Sequence, residues 1–142
     1  MTQQDLIEQF AIEQLLYKYG FDVDNRDAAA YADCFTPDAV VSGPGFEMRN
    51  DVAGPTIDML SSMYEATLHC VHNHTHTIQG DRATGMTYCV ASHIQNQNGQ
   101  RSKMDMYIRY HDELVKRDGQ WRFSKRRLEV VCTTTVPVNP AG

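Results

Sequence analysis

Apolar residues recur at helical spacing early in the chain. Ile12, Leu15, Leu16, Tyr19 and Val23 fall on one side of a 3.6-residue repeat, which predicts one long amphipathic helix. It runs from near Thr2 into the acidic cluster Asp22-Val23-Asp24-Asn25-Arg26-Asp27. Asp24 then lies at or near the C-terminal end, where the helix dipole disfavours a carboxylate and another group must compensate for it. Asp27 is placed to cap a second, short helix from Ala28 to Phe35, which Pro37 helps to end. Ala39-Val40-Val41 reads as a strand, and Gly43-Pro44-Gly45 as a turn into Phe46-Glu47-Met48. The stretch from Asp51 to Pro55 opens a third helix carrying Ile57, Leu60, Met63 and Tyr64 on one side.

From there the period changes from helical to alternating. Long strands are expected over residues 67–79, 83–95 and 101–116, with a last strand beginning near Trp121. Turns fall at Gly80-Asp81-Arg82, Asn98-Gly99 and Asp118-Gly119. Helices first and strands afterwards favour an α+β fold. Long hairpin strands accumulate twist and need one face covered, so the expected architecture is a curved, mostly antiparallel sheet wrapped over the N-terminal helices. With one end open, such a shell encloses a pocket lined by alternate strand residues. On the first long strand, alternation puts His69, Val71, Asn73, Thr75 and Thr77 on one face. His72, His74 and His76 share the other with Leu68, Cys70 and Ile78, unless a bulge intervenes.

Composition narrows the class. A length of 142 residues suits a single domain over 1–142, and the net charge of −5 argues against nucleic acid as a partner. Lys125-Arg126-Arg127 is the one basic run, on a solvated strand or in a pocket, and a slip of one residue would exchange the faces of Arg126 and Arg127. The first residues lack the basic start and apolar stretch of a signal peptide, and no segment is long enough to span a bilayer. A cytoplasmic protein with no membrane partner is therefore expected. Cys34, Cys70, Cys89 and Cys132 form no Cys-x-x-Cys pair and read as reduced, small apolar residues. Histidines two apart on a strand could converge on a metal, but no acidic or cysteine ligand joins His72, His74 and His76 by spacing. An exposed or subunit-contacting face, with no bound metal, is the expectation there.

The candidate chemistry is proton transfer. Histidine ionises near pH 6.5, and a carboxylate that orients a neutral imidazole makes it a general base. Asp22, Asp24 and Asp27 are the carboxylates in reach of such a role, each equally able to bond nearby backbone after a helix. Tyr19 lies on the apolar stripe of the first helix, as core or as a donor. His93 shares a strand face with Cys89 and Ala91, pointing into the pocket or ending the strand. The seven methionines, with Phe46, Tyr64, Tyr88 and Tyr107, could wall a broad apolar pocket or simply fill the core.

Five short motifs occur in a suggestive order. They are Tyr19-x-x-x-x-Asp24-x-x-Asp27, Phe35-Thr36-Pro37-Asp38-Ala39-Val40, Thr67-Leu68-His69, Gly80-Asp81-Arg82-Ala83-Thr84 and Asp118-Gly119-x-Trp121-Arg122-Phe123. Together they resemble the SnoaL-like branch of the nuclear transport factor 2-like superfamily, over nearly the whole chain. The resemblance implies a cone of curved sheet and helices. Within that branch it is nearest to the lyases, namely bile acid 7α-dehydratase and γ-hexachlorocyclohexane dehydrochlorinase, and more distantly scytalone dehydratase. By motif position it implies an Asp24–His69 dyad, with Tyr19, Arg126 and His93 as further catalytic candidates, and leaves Asp22 and Asp27 structural. It implies a dehydratase without cofactor or metal, acting on a hydrophobic cyclic hydroxy ketone or hydroxysteroid-like molecule, in a homodimer or homotrimer. A ketosteroid isomerase or polyketide cyclase using the same pocket, and a non-catalytic assembly subunit, are the alternatives the superfamily allows.

Overall fold

In the computed structural model, residues 1–139 are described. Helix α1 spans Gln3–Asp24, α2 Ala28–Ala32 and α3 Ala53–Met63, and six strands follow the order β1 Phe35–Gly43, β2 Phe46–Arg49, β3 Ala66–Gln79, β4 Arg82–Gln97, β5 Gln100–Arg117 and β6 Gln120–Pro137. Thr2 and Asp5 start α1 with a reciprocal capping box, and the expected stripe of Ile12, Leu15, Leu16, Tyr19 and Val23 is buried. Asp27 caps α2 by accepting from the Ala30 amide at 3.1 Å.

The strands form one sheet in the order β2-β1-β6-β5-β4-β3, in which only β1 and β6 run parallel. The expected α+β architecture is present, with N-terminal helices packed on a mixed, mostly antiparallel sheet. Asn98-Gly99 and Asp118-Gly119 both take positive φ at both positions, the conformation that closes a two-residue hairpin with the twist of its strands. No helix among the described residues is long and apolar enough to cross a membrane.

Two helix ends differ from the sequence expectation. Helix α2 stops at Ala32 rather than Phe35, because the sheet captures the next residues. Cys34 O accepts from the Phe123 amide at 2.8 Å and Phe35 pairs with Phe123. Pro37, which has no amide hydrogen to give a ladder, falls in the register break between Phe35 and Val40. Helix α3 ends at Met63, which is exposed, while Tyr64 is already extended, so only Ile57 and Leu60 of the four expected residues are buried on the helix.

Two bulges decide which side chains enter the interior. On β3, Val71 pairs with Cys89 but His74 pairs with Thr87, so three steps on one strand oppose two on the other. The extra residue reverses the alternation. Thr67, His69 and Val71 face in before the bulge, and His74, His76 and Ile78 face in after it. This corrects the expectation that His74 and His76 lie on the outer face. Gly85 makes it possible, since a Cβ there would stand 2.0 Å from the Thr75 carbonyl oxygen. On β6, Phe123 pairs with Leu114 and Lys125 with Glu113, leaving Ser124 as the extra residue. Phe123 and Arg126 are thereby both buried, and Arg127 is exposed.

Candidate active site

The C-terminal end of α1 is built to hold a carboxylate that its dipole disfavours. The Arg26 amide donates to Val23 O and the Asp27 amide to Asp22 O, a pair of bonds that closes the helix with Arg26 in the left-handed region at φ 57°. That backbone is costly for arginine. Its guanidinium offsets the cost by donating to Val23 O at 2.7 Å and to Thr67 Oγ1 at 2.8 Å, which ties the helix end to β3 and brings a cation to the negative pole.

Asp24 then receives three donors from β3. Thr67 Oγ1 donates to Oδ1 at 2.9 Å, the His69 amide donates to Oδ2 at 2.8 Å, and His69 Nδ1 lies 2.7 Å from Oδ1. Burial pushes the Asp24 carboxyl up, but bonds from the His69 ring and amide, with Thr67, outweigh it and hold it below its ordinary range. Asp24 is therefore the ionised acceptor, and Nδ1 of His69 carries the proton. The other nitrogen, Nε2, has no protein partner among the described residues. Gly20 permits this approach of α1 to β3, since a Cβ there would lie 3.1 Å from the His69 carbonyl oxygen.

The His69 ring lines a cavity of about 490 Å³ between α1, α3 and the sheet. Its walls are mainly apolar, with Met48, Met59, Met106, Ile108 and Leu128 among them, and its polar side chains are the phenols Tyr19, Tyr31, Tyr64 and Tyr110 with Thr56, His69 and His93. Of the residues named as able to wall a pocket, Met48, Met59, Met106, Phe46 and Tyr64 do so. Tyr88 and Tyr107 do not, and line a different groove on the sheet. His93 stands with its ring 6.1 Å from that of His69 and 4.7 Å from Tyr64. Burial first, and the nearby His69 second, hold its pKa below the ordinary 6.5. Its Nδ1 lies 3.4 Å from Met104 O, which selects the tautomer whose Nε2 accepts.

Tyr19 is at the cavity's inner wall, with ring centroids 5.2 Å from Tyr31, 5.6 Å from Tyr110 and 6.2 Å from His69. Burial pushes the hydroxyls of Tyr31 and Tyr110 well above the ordinary range, so both remain protonated donors. Sequence reading missed these two phenols and Thr67. Tyr110 had a signal, because it shares the inward alternation of Ile108, Asp112 and Leu114.

Of Arg126 and Arg127, whose faces the sequence left open, Arg126 is the one turned inward, and it does not line the cavity. It is fully buried behind the phenols, Cζ 4.2 Å from the Tyr19 ring centre and 3.7 Å from that of Tyr110, and Nε donates to Asp112 Oδ1 at 2.8 Å. The Asp112 carboxylate outweighs burial and raises the Arg126 pKa further, so the guanidinium is permanently charged. Asp22 bonds Lys18 and Asp27 caps α2, as the structural reading of those two carboxylates expects. Among the described residues, no group of three or more His, Cys, Asp or Glu side chains is arranged to hold a metal.

Comparison with known proteins places this geometry in a family. No curated protein matches the chain. Among solved structures, it is similar to a candidate scytalone dehydratase of Novosphingobium aromaticivorans, at 28% identity over 99% of this chain and 95% of that one, with a TM-score of 0.84. A hexachlorocyclohexane dehydrochlorinase of Novosphingobium barchaimii shares the fold at 20% identity, over 94% and 92% of the two chains, with a TM-score of 0.79. So does a Nostoc punctiforme protein of unknown function with a cystatin-like fold, at 20% identity over 92% and 93%, with a TM-score of 0.72. The sequence profile of the SnoaL-like domain matches residues 4–127. The chain therefore belongs to the SnoaL-like domain family.

Proposed function

We propose that the protein is a cofactor-independent lyase that eliminates water from a hydrophobic cyclic hydroxy ketone or hydroxysteroid-like substrate. The observation that carries this reading is the Asp24–His69 contact of 2.7 Å at the wall of a mainly apolar cavity. The side chains concerned are only 8% and 19% exposed, His69 and Asp24 in that order, so the pair works in a medium of low dielectric. Similarity to a candidate scytalone dehydratase supports dehydration, and that chain is similar over nearly its whole length.

In this mechanism Asp24 fixes the His69 tautomer and stabilises the imidazolium. Nε2 of His69 takes a proton from the carbon beside a carbonyl, and the electron pair moves to the carbonyl oxygen as an enolate. Tyr19 donates a hydrogen bond to that oxygen. The enolate then re-forms the carbonyl, the new carbon–carbon double bond closes, and the neighbouring hydroxyl departs with the proton returned by His69 as water. A positioned base of this kind contributes about 10²- to 10⁴-fold. His93, held neutral, accepts a hydrogen bond from the substrate and so orients its hydroxyl. Exposed Leu68, Tyr88 and Val131 on the sheet favour a homodimer or homotrimer.

Mass spectrometry of products from a panel of hydroxysteroids and cyclic hydroxy ketones tests the reading. A product lighter by one water, formed by the wild type and not by His69→Gln, is expected. A product of unchanged mass marks isomerisation instead, and full turnover by His69→Gln removes the proposed base.

A further inference from the structure

The left-handed residue that ends α1 is an arginine, where glycine would sit without strain. Arg26 has φ 57°, a conformation unfavourable for any residue with a Cβ. Its side chain is engaged in a specific way. Nη1 donates to Val23 O at 2.7 Å and to Thr67 Oγ1 at 2.8 Å, directing both of its hydrogens at neutral oxygens rather than at a carboxylate. Val23 O already accepts from the Arg26 amide at 3.1 Å, so that helix carbonyl is satisfied without the guanidinium. The bond to Thr67 is the one that only the side chain supplies.

Thr67 stands between this cation and the proposed base. It is buried on β3, and its hydroxyl has a single hydrogen to give. With its oxygen accepting from Arg26, that hydrogen is turned to Asp24 Oδ1 at 2.9 Å. Asp24 Oδ1 also faces His69 Nδ1 at 2.7 Å, while Oδ2 is held by the His69 amide at 2.8 Å. Rotation of the carboxylate is closed from both ends, since any turn breaks bonds at both oxygens. Two other rings near His69, Tyr19 on α1 and His93 on β4, stand at centroid separations of 6.2 and 6.1 Å. Asp24 therefore decides the direction of the imidazole, and Arg26 with Thr67 decides that of Asp24.

We propose that Arg26 and Thr67 are positioning residues of the base. The guanidinium orients the Thr67 hydroxyl, the hydroxyl fixes the Asp24 carboxylate, and the carboxylate holds the proton on His69 Nδ1, so that Nε2 stays an acceptor at the cavity wall. A hydrogen bond from a cation is roughly twice as strong as one between neutral groups, and each bond in a buried chain polarises the next. Neither side chain lines the cavity, so both act through Asp24. For catalysis the role rests on the lyase reading, in which His69 is the base; the hydrogen-bonded chain itself does not.

The direct readout is the proton on His69 Nδ1, observed by NMR in nitrogen-labelled protein without substrate. Held against a carboxylate, it is expected downfield and in slow exchange with water in the wild type. Thr67→Val and Arg26→Gly are each expected to broaden it beyond detection while the backbone amide spectrum stays that of the folded chain, and Thr67→Ser to keep it. In turnover the two disruptive variants are expected to lower kcat about tenfold with KM little changed, because displacing a reacting group by ~1 Å costs up to about 10²-fold, and Thr67→Ser to recover most of the loss. Arg26→Gly separates positioning from folding: glycine relieves the left-handed backbone, so its urea midpoint is expected to hold or rise while activity falls. Should Arg26→Gly fail to fold, Thr67→Val against Thr67→Ser decides. A wild type without the slow proton overturns the inference, as does a Thr67→Val or folded Arg26→Gly protein that keeps it, or a Thr67→Ser protein that loses it. Loss of the proton in the variants of a protein that turns over no cyclic hydroxy ketone or hydroxysteroid supports the positioning chain and removes only the lyase reading.

Discussion

At the scale of single residues, the dyad is a product of three donors meeting one carboxylate. Asp24→Asn would keep the contact at Oδ1 and leave an amide unable to stabilise the imidazolium. It is expected to lower turnover by about 10²-fold or more while costing far less in stability, as steady-state rates beside a denaturation curve would show. The same groups predict how stability depends on pH. Asp24 and Asp112 have folded pKa values below the ordinary 3.8, so their contribution is complete above that value and is lost as pH falls through the folded values. His74 and His93 have folded values below the ordinary 6.5, so the unfolded chain gains protons first, and stability declines as pH falls from about 6.5. Urea unfolding across pH should therefore show a shallow fall below 6.5 and a steeper one below 3.8, with the upper part reduced in His93→Gln.

At the scale of elements, two glycines set how closely strands and helix approach. Gly85→Ala would drive a Cβ into the backbone of β3 at Thr75, and is expected to cost about 3 kcal/mol or more in thermal or urea unfolding. Gly20→Ala gains roughly 1 kcal/mol of helix propensity but presses on the His69 carbonyl. It is expected to leave stability nearly unchanged and to lower turnover about tenfold, since small displacements of reacting groups are amplified in rate. The strands themselves were legible in the sequence, because alternation and the Asn98-Gly99 and Asp118-Gly119 dipeptides bound them to within a few residues. The bulges were not. An extra residue in β3 turned His74 and His76 inward, and another in β6 put Phe123 and Arg126 inside together. Neither shift leaves a mark on composition or period, since each depends on what the partner strand offers across the ladder. Asp24 and His69 escaped this difficulty because they precede the bulge and sit at motif positions, whereas Asp112 needed its buried partner to be known.

At the scale of the whole molecule, a sheet laid over α1 and closed by α3 makes a cavity with two different polar arrangements at its wall. One is the Asp24–His69 pair, whose Nε2 has no protein partner among the described residues. The other is a set of phenols underlain by the Arg126–Asp112 pair, and the rest of the wall is mainly apolar. The SnoaL-like fold supplies the cavity, while the chemistry depends on these side chains. The proposed lyase chemistry turns on removal of a proton from carbon by His69. Deuterium incorporation from heavy water into a cyclic ketone, followed by NMR at the carbon beside the carbonyl, reads that step whether or not water is later lost. Exchange is expected to be catalysed by the wild type and reduced at least about 100-fold in His69→Gln. Equal exchange rates in the two proteins would contradict that chemistry.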